Sequence, residues 1–304
     1  MKYLVTGGAG FLGSHLCDAL VERGDEVICL DNEVTGSWKN VKHLKENKKF
    51  AFLKDDITLP LVVGDRPLFD VDAIFHLASP TAPVDCRLYP LQTLYSNIQG
   101  TVSVAKLAEK LQVPLLYTSS IRVKDVIEYD IGLDKCYIEA KRVGEMLCVG
   151  FGFKVARLGN VYGTRMKEND SRVIPTFIRN VKMYQPIEIR GDRYQSETFC
   201  YVDDIVKGLI LFMDSKYTEV IEFGGHEVVT LNRLVEIVCD SILGSKADIE
   251  YTGNDCKKVV RMLPNIATAK HLLGWDPKIS LEEGIKKVVE FFDNRVNANV
   301  HSHL

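Results

Sequence analysis

Two side chains four residues apart set the chemistry this sequence can do. They are Tyr137 and Lys141 in Tyr137-Ile138-Glu139-Ala140-Lys141, within a stretch of helical patterning. Positions i and i+4 share one helix face. An ammonium held beside a phenol favours phenolate and draws its pKa down from about 10 towards neutrality. Such a phenolate takes the proton of a substrate hydroxyl while the same carbon releases hydride to an acceptor. Ser119 closes an apolar run at 114–119 and can donate a hydrogen bond to the same oxygen. The candidate catalytic set is therefore Ser119, Tyr137 and Lys141.

A site for the hydride acceptor is legible at the start of the chain. Gly7-Gly8-Ala9-Gly10-Phe11-Leu12-Gly13 follows an apolar run at 3–6 and opens a helical pattern at 11–23. Gly7, Gly10 and Gly13 make the spacing G-x-x-G-x-x-G. Glycine permits the tight turn and lets backbone approach a pyrophosphate. The helix N-terminus adds N–H donors and a partial positive charge. Asp31 follows the strand pattern at 26–30, 18 residues after Gly13, where a carboxylate can accept both ribose hydroxyls. The same carboxylate repels a 2′-phosphate, and its neighbours Asn32, Glu33 and Val34 include no arginine. The expected cofactor is NAD. Asp56-Ile57, after a strand pattern at 50–53, fits a clamp on the adenine.

These groups need a scaffold, and the rest of the pattern supplies one. Strand-like runs at 3–6, 26–30, 50–53, 73–77, 114–119 and 154–158 alternate with helical patterns at 11–23, 90–111 and 135–150. Alternation of this kind predicts an α/β fold, a doubly wound parallel sheet of the Rossmann type. Beyond Gly159 the pattern loosens. Helical spacing recurs at 173–183, 202–213, 231–243, 266–273 and 281–294, between loops rich in Gly, Asp, Asn and Arg. We expect an NAD-binding Rossmann domain over 1–158, extended by about 202–223, and a smaller C-terminal α/β substrate-binding domain over 159–304.

Bulk composition narrows the function further. The chain has 304 residues, 46% of them hydrophobic, and a net charge of -3, which argues against a nucleic-acid partner. Its apolar runs are too short to span a membrane. The residues before the glycine turn leave no room for a signal peptide, so a cytoplasmic protein is expected. Eight cysteines lack Cys-x-x-Cys spacing and predict free, buried thiols. Seven histidines lack His-Glu-x-x-His spacing, and no metal site is expected; His301 and His303 fall in a tail expected to fray.

The glycine turn, the strand-end serine and Tyr-x-x-x-Lys together resemble the extended short-chain dehydrogenase/reductases, and within them the UDP-glucuronate decarboxylases, or UDP-xylose synthases. The likeness runs through nearly the whole chain. It includes Leu30-Asp31-Asn32 with Thr35-Gly36, His76-Leu77-Ala78-Ser79-Pro80, and Pro90 to Asn97-x-x-Gly100-Thr101. It continues through Cys136-Tyr137-x-x-x-Lys141-Arg142-Val143, Ala156-Arg157-x-x-Asn160, and Arg165-Met166 with Asn169-Asp170-x-Arg172-Val173. Leu273-Gly274-Trp275-x-Pro277 closes it. The resemblance implies that Phe11, Leu12, Asn32, Thr35, Leu77, Ser79 and Ser96 join Tyr137 and Lys141 around NAD. It places Asn160, Arg172 and Gln195 against a UDP-sugar. It implies oxidation at C4, loss of carbon dioxide from the β-keto acid, protonation at C5 and return of hydride to give UDP-xylose. It also implies a homodimer, formed through the helices at 90–111 and 135–150.

Three positions depart from that pattern. The glutamate expected two residues after the catalytic hydroxyl is Ile121, which cannot handle protons. The arginine of Gln-x-Arg-x-Phe is Glu197, and a late arginine is Met262, with Arg261 beside it as the expected substitute. The loop between Val123 and Cys136 is also about a dozen residues shorter than the resemblance leads one to expect, and pocket shape sets substrate choice. A nucleotide-sugar 4-epimerase needs no extra acid and is the main alternative. A 4,6-dehydratase is disfavoured, because Ser120-Ile121 offers no acidic pair. The remaining alternative is an NAD-binding sensor or partner protein whose sugar site has decayed.

Overall fold

The fold was analysed in a computed structural model, which describes residues 1–125, 136–190, 195–242, 244, 246–252 and 263–301. The first half runs β1 (Lys2–Thr6), α1 (Phe11–Arg23), β2 (Glu26–Asp31) and β3 (Phe50–Lys54). A small hairpin, β4 (Val62–Val63) and β5 (Arg66–Pro67), leads to β6 (Ala73–His76). Then come α2 (Pro83–Leu88), α3 (Pro90–Tyr95), a π-helical turn at Ser96–Gly100, and α4 (Thr101–Leu111). After these lie β7 (Leu115–Ser120), α5 (Cys136–Gly150) and β8 (Lys154–Leu158). The second half contains β9 (Asn160–Tyr162), α6 (Val173–Lys182), β10 (Ile187–Arg190), β11 (Ser196–Tyr201), α7 (Val202–Asp214) and β12 (Val220–Phe223). It ends with β13 (Val228–Thr230), α8 (Leu231–Ser241), β14 (Ile249–Thr252), α9 (Ala267–Leu273) and α10 (Leu281–His301).

Seven strands form one sheet in the order β12-β8-β7-β6-β1-β2-β3. Every pairing in it is parallel. The fold is thus the expected doubly wound α/β sheet. The chain winds outward from β1 to β3, then returns to lay β6 on the other side of β1. That reversal opens a crevice at the carboxyl ends of the strands, where open α/β sheets bind ligands. Helices cover both faces, so all six residues of β7 are buried. One core cluster joins Tyr3, Phe75 and Leu116 to α7 and the C-terminal helices. A second, on the opposite face, gathers Leu4, Ile74, Val104, Leu107, Tyr117 and Cys148.

The uninterrupted helix expected over 90–111 carries a π-helical turn at its middle. The side chains there compete with the backbone ladder. Asn97 Nδ2 donates to the Thr93 carbonyl at 2.8 Å, and Thr101 Oγ1 donates to the Asn97 carbonyl at 2.6 Å.

In the second half, two small sheets pack beside the main one, in the orders β13-β11-β9 and β10-β14. The segment after α9 is tied to α7 by a buried acid. Asp204 is 1% exposed and accepts the backbone N–H groups of Lys278 and Ile279, each at 2.8 Å. Trp275 donates from Nε1 to the Asp204 carbonyl and lies edge-on to Phe223. Among the described residues, no helix is long and apolar enough to cross a membrane.

Candidate active site

A cleft of about 1190 Å³ runs along the carboxyl ends of the central strands. The glycine turn and Asp31 line one end, Thr118, Ser119, Ser120, Tyr137 and Lys141 the middle, and Asn160, Arg172, Gln195 and Glu197 the other.

The glycine end is shaped by what it excludes. Gly7 has φ +71, and a Cβ on Gly13 would lie 2.1 Å from the Gly7 carbonyl oxygen. Side chains at Gly7 and Gly13 would strike the backbone of Ala78 and of Gly7, so these glycines let the turn close and α1 pack tightly against the strands. Helix α1 starts at Phe11 with Gly10 as its N-cap and no side-chain cap, so its first turn keeps its anion-binding character. Asp31 is 7% exposed and accepts the N–H groups of Ala9 at 3.0 Å and Glu33 at 2.8 Å. Burial raises its pKa above the usual carboxylate value, against the pull of those backbone bonds. Thr35, Leu77 and Ser79 line the same end, with Phe11 and Leu12. This cradle fits a dinucleotide with a free ribose diol.

Four expected cofactor residues stand outside the lining. Asn32 donates to Asp56 at 3.0 Å. Burial works against the Asp56 charge, but Thr58 and Asn32 bind it strongly enough to hold its pKa low. Ile57 is buried, packed where a side chain on Gly100 would be. Ser96 is buried in the π-helical turn.

At the centre, α5 aims Tyr137, Lys141 and Glu145 from one face, each four residues after the last. Tyr137 is half-buried in the cleft wall. Its pKa is pushed up to about 12, chiefly by burial and the nearby Cys86. Ser120, Arg122 and Arg172 pull it the other way. Burial therefore outweighs the cations, and the phenol is not brought towards neutrality as the spacing suggests. Lys141 is 2% exposed, donates from Nζ to the Thr118 carbonyl at 2.8 Å, and stands 6.0 Å from the Tyr137 ring centre. Burial lowers its pKa to about 7.

Ser119 lines the cleft with Tyr137 and Lys141, and its hydroxyl is turned to α5. Successive side chains alternate along β7, and the Ser119 hydroxyl donates to Glu145 Oε2 at 2.7 Å. Glu145 is in turn held by Arg157, which also reaches Glu222. Lys124 completes this chain of charges on Glu222 at 3.0 Å. Among the described residues neither serine makes a hydrogen bond of ordinary geometry to the Tyr137 hydroxyl; Ser120, whose Oγ accepts the Arg122 N–H at 3.2 Å, is the serine that pulls the Tyr137 pKa down. A signal for Glu145 lies in its i+8 position after Tyr137. The signal for Ser120 is hidden, because adjacent serines cannot be told apart until the strand register is known.

His76 sits beneath the centre, 1% exposed. Thr101 gives its proton to the Asn97 carbonyl, so His76 Nε2 donates to Thr101 and His76 Nδ1 accepts from Thr6. Burial and the Lys141 charge lower its pKa to about 3, which keeps it neutral.

At the far end, Asn160 Nδ2 donates to Glu197 Oε2 at 3.0 Å and to the Thr198 carbonyl at 3.1 Å. Glu197 is thus in the lining and buried, with Asn160 on its carboxylate. Arg172 is paired with Asp170 at 2.6 Å, and its guanidinium lies 5.6 Å from the Phe11 ring centre. Ile121 is 7% exposed and outside the lining, whereas Arg122 next to it is inside. Arg261 and Met262 lie outside the described residues, as do residues 126–135 of the shortened loop.

The fold and the cleft define a class. The model of the NAD dependent epimerase/dehydratase family matches residues 3–224, and the chain belongs to that family. The chain is 36% identical to UDP-glucuronic acid decarboxylase 1 of Arabidopsis thaliana, over 97% of its own length and 71% of that protein's. It is 34% identical to UDP-glucuronic acid decarboxylase 1 of Danio rerio, over 97% and 73%. Among solved structures, UDP-glucose 4-epimerase of Thermotoga maritima with UDP-glucose superposes with a TM-score of 0.83 at 28% identity, over 97% of this chain and 100% of that one.

Proposed function

We propose that this chain is an NAD-dependent UDP-glucuronate decarboxylase, making UDP-xylose and carbon dioxide. The observation that carries the proposal is the seating of Tyr137 and Lys141 between a dinucleotide cradle and a polar pocket, in a chain so similar to UDP-glucuronic acid decarboxylases along its length.

Gly7, Gly10, Gly13 and the first turn of α1 hold the pyrophosphate, and Asp31 holds the adenosine ribose. NAD held there would supply reversible hydride transfer at the sugar's C4 and a positive ring that favours phenolate. Tyr137 removes the C4 hydroxyl proton and later gives it back. Lys141 holds charge against the phenolate, and Ser120 steadies the same oxygen. Ser119 acts one step back by fixing Glu145. A ketone at C4 is β to the C5 carboxylate, so carbon dioxide leaves as its bonding electrons move into an enolate. The C5 proton has to come from a source other than Ile121, which has none to give. Arg172, Asn160 and Gln195 hold the UDP-sugar, and Arg261 is proposed for the same role. The Asn160–Glu197 pair sets the polar end where the sugar and nucleotide meet.

A second reading, nucleotide-sugar 4-epimerisation, is favoured by one observation: Ile121 leaves the cleft without the expected acid. The purified protein should be incubated with NAD and, separately, UDP-glucuronate, UDP-glucose and UDP-galactose. Formation of UDP-xylose from the first supports decarboxylation. Interconversion of the other two without carbon loss favours epimerisation, and inertness towards all three with NAD bound favours a sensor.

A homodimer is part of the proposal. Leu91, Tyr95, Ile98, Val143, Met146 and Val149 leave apolar side chains exposed on α3, the π-helical turn and α5, and a second copy would cover them. A cytosolic setting is supported by the seven described cysteines, all free.

A further inference from the structure

We propose that Tyr117 is a positioning residue of this site, its ring forming the seat that keeps the Lys141 ammonium charged beneath Tyr137. The inference rests on the reading of Tyr137 and Lys141 as the proton-handling pair.

Lys141 is an almost fully buried cation, and among the described residues no carboxylate pairs with it. The Thr118 carbonyl takes one of its protons. Glu145, one turn further along α5, is committed to Arg157 and Ser119. From β6, His76 faces Lys141 as a neutral ring. Cys86 of α2 and Cys148 of α5 are thiols that burial keeps protonated. Arg122, in the turn after β7, acts on Tyr137, and Arg157 of β8 stands behind Glu145. What remains is the face of an aromatic ring. Lys141 Nζ lies 4.7 Å from the centre of Tyr117, closer than its 6.0 Å to the centre of Tyr137. An aromatic face carries negative potential and attracts a cation most when water is excluded.

The seat is built into the helix. Tyr117 is 1% exposed, in the middle of β7. A Cβ on Gly144 would lie 2.4 Å from the Tyr117 hydroxyl oxygen. Glycine inside a helix is unfavourable, yet here it stands three residues after Lys141, on the face that must admit the ring. The Tyr117 hydroxyl has no hydrogen-bond partner of ordinary geometry among the described residues, though Thr101 acts on it. It is the ring face that meets Lys141.

The test compares Tyr117→Phe, Tyr117→Leu and pentafluorophenylalanine at position 117, whose shape is kept while the ring's face charge is inverted. Two readouts are taken on the full chain with NAD. One is the pH profile of kcat for carbon dioxide release from UDP-glucuronate. The other is the Tyr137 phenolate titration by ultraviolet difference against Tyr137→Phe in each background, which needs no turnover. With the seat gone, the ammonium is less favoured, and phenolate forms less readily. We expect the acidic limb and the phenolate midpoint to rise by about one pH unit in the leucine and pentafluoro proteins. Tyr117→Phe should stay within about 0.3 unit of the parent, with KM unchanged in all three. Equal midpoints in the phenylalanine and pentafluorophenylalanine proteins would overturn the inference, even if the leucine variant failed to fold. A parent protein that releases no carbon dioxide would overturn the functional reading instead, and the phenolate titration would still decide the role of Tyr117.

Discussion

Lys141 is a residue the fold would be more stable without. Its pKa falls from 10.5 to about 7 because the buried ammonium has lost its water. A lysine whose folded pKa is depressed destabilises the fold wherever it is still charged when unfolded. Below pH 7 it is charged in both states and the cost is full. Between pH 7 and 10.5 the amine of the empty site gives up its proton while the unfolded lysine keeps its own, so the cost shrinks; above that range it is gone. We therefore expect Lys141→Met to abolish turnover while stabilising the fold by about 3–5 kcal/mol at pH 6, with the gain fading towards pH 10. Urea unfolding across that range checks both sign and window. The two serines should separate in the same way. Ser120→Ala is expected to lower kcat by about 10- to 100-fold with little change in stability. Ser119→Ala removes a donor from buried Glu145 and should cost about 1–2 kcal/mol in stability, with a smaller loss of kcat. Steady-state kinetics and urea midpoints on both variants distinguish these outcomes.

At the scale of elements, the site depends on three chain segments meeting at the sheet's switch point: the turn after β1, the end of β7 and the first two turns of α5. The turn tolerates least. Gly13→Ala brings a methyl onto the Gly7 carbonyl, and NAD affinity should fall by about 100-fold or more, measurable by calorimetric titration. Much of this is legible in the amino-acid sequence, because local spacing encodes it. Glycine spacing marks the turn, and the i, i+4 rule marks the helix face. Asp31, just past an apolar run, marks a strand end. Residues whose roles depend on register or tertiary contact are not legible. Ser120 differs from Ser119 only by which face of β7 it occupies. Asn32 and Asp56 are joined by one bond and spend the rest of their polar atoms on Val34 and Thr58. Tyr117 reads as an ordinary core aromatic until Lys141 is found over it. The three-stranded sheet of β9, β11 and β13 is hidden because such short strands carry too little alternation, and the π-helical turn because its apolar spacing does not differ from that of an α-helix; the side-chain bonds of Asn97 and Thr101 that accompany it appear only in the structure.

At the scale of the molecule, one sheet carries the cofactor cradle on its carboxyl edge, and the elements after β8 close the polar end of the cleft. The apolar stripe on α3 and α5 lies on the outside, away from that opening. A charge placed there should break the proposed dimer without touching the chemistry. We expect Met146→Glu, at a side chain 74% exposed, to convert a dimer into a monomer by light scattering. The whole assembly is proposed to remove a carboxylate while regenerating its own oxidant, and carbon balance tests that most directly. The measurement is release of labelled carbon dioxide from UDP-glucuronate labelled in its carboxyl carbon, with NAD at catalytic concentration. We expect repeated turnovers, one carbon dioxide for each UDP-pentose formed, no net accumulation of NADH, and none of this with Tyr137→Phe. Conversion of the label into UDP-galacturonate with the carboxylate intact would contradict decarboxylation and leave C4 epimerisation as the reaction of this site.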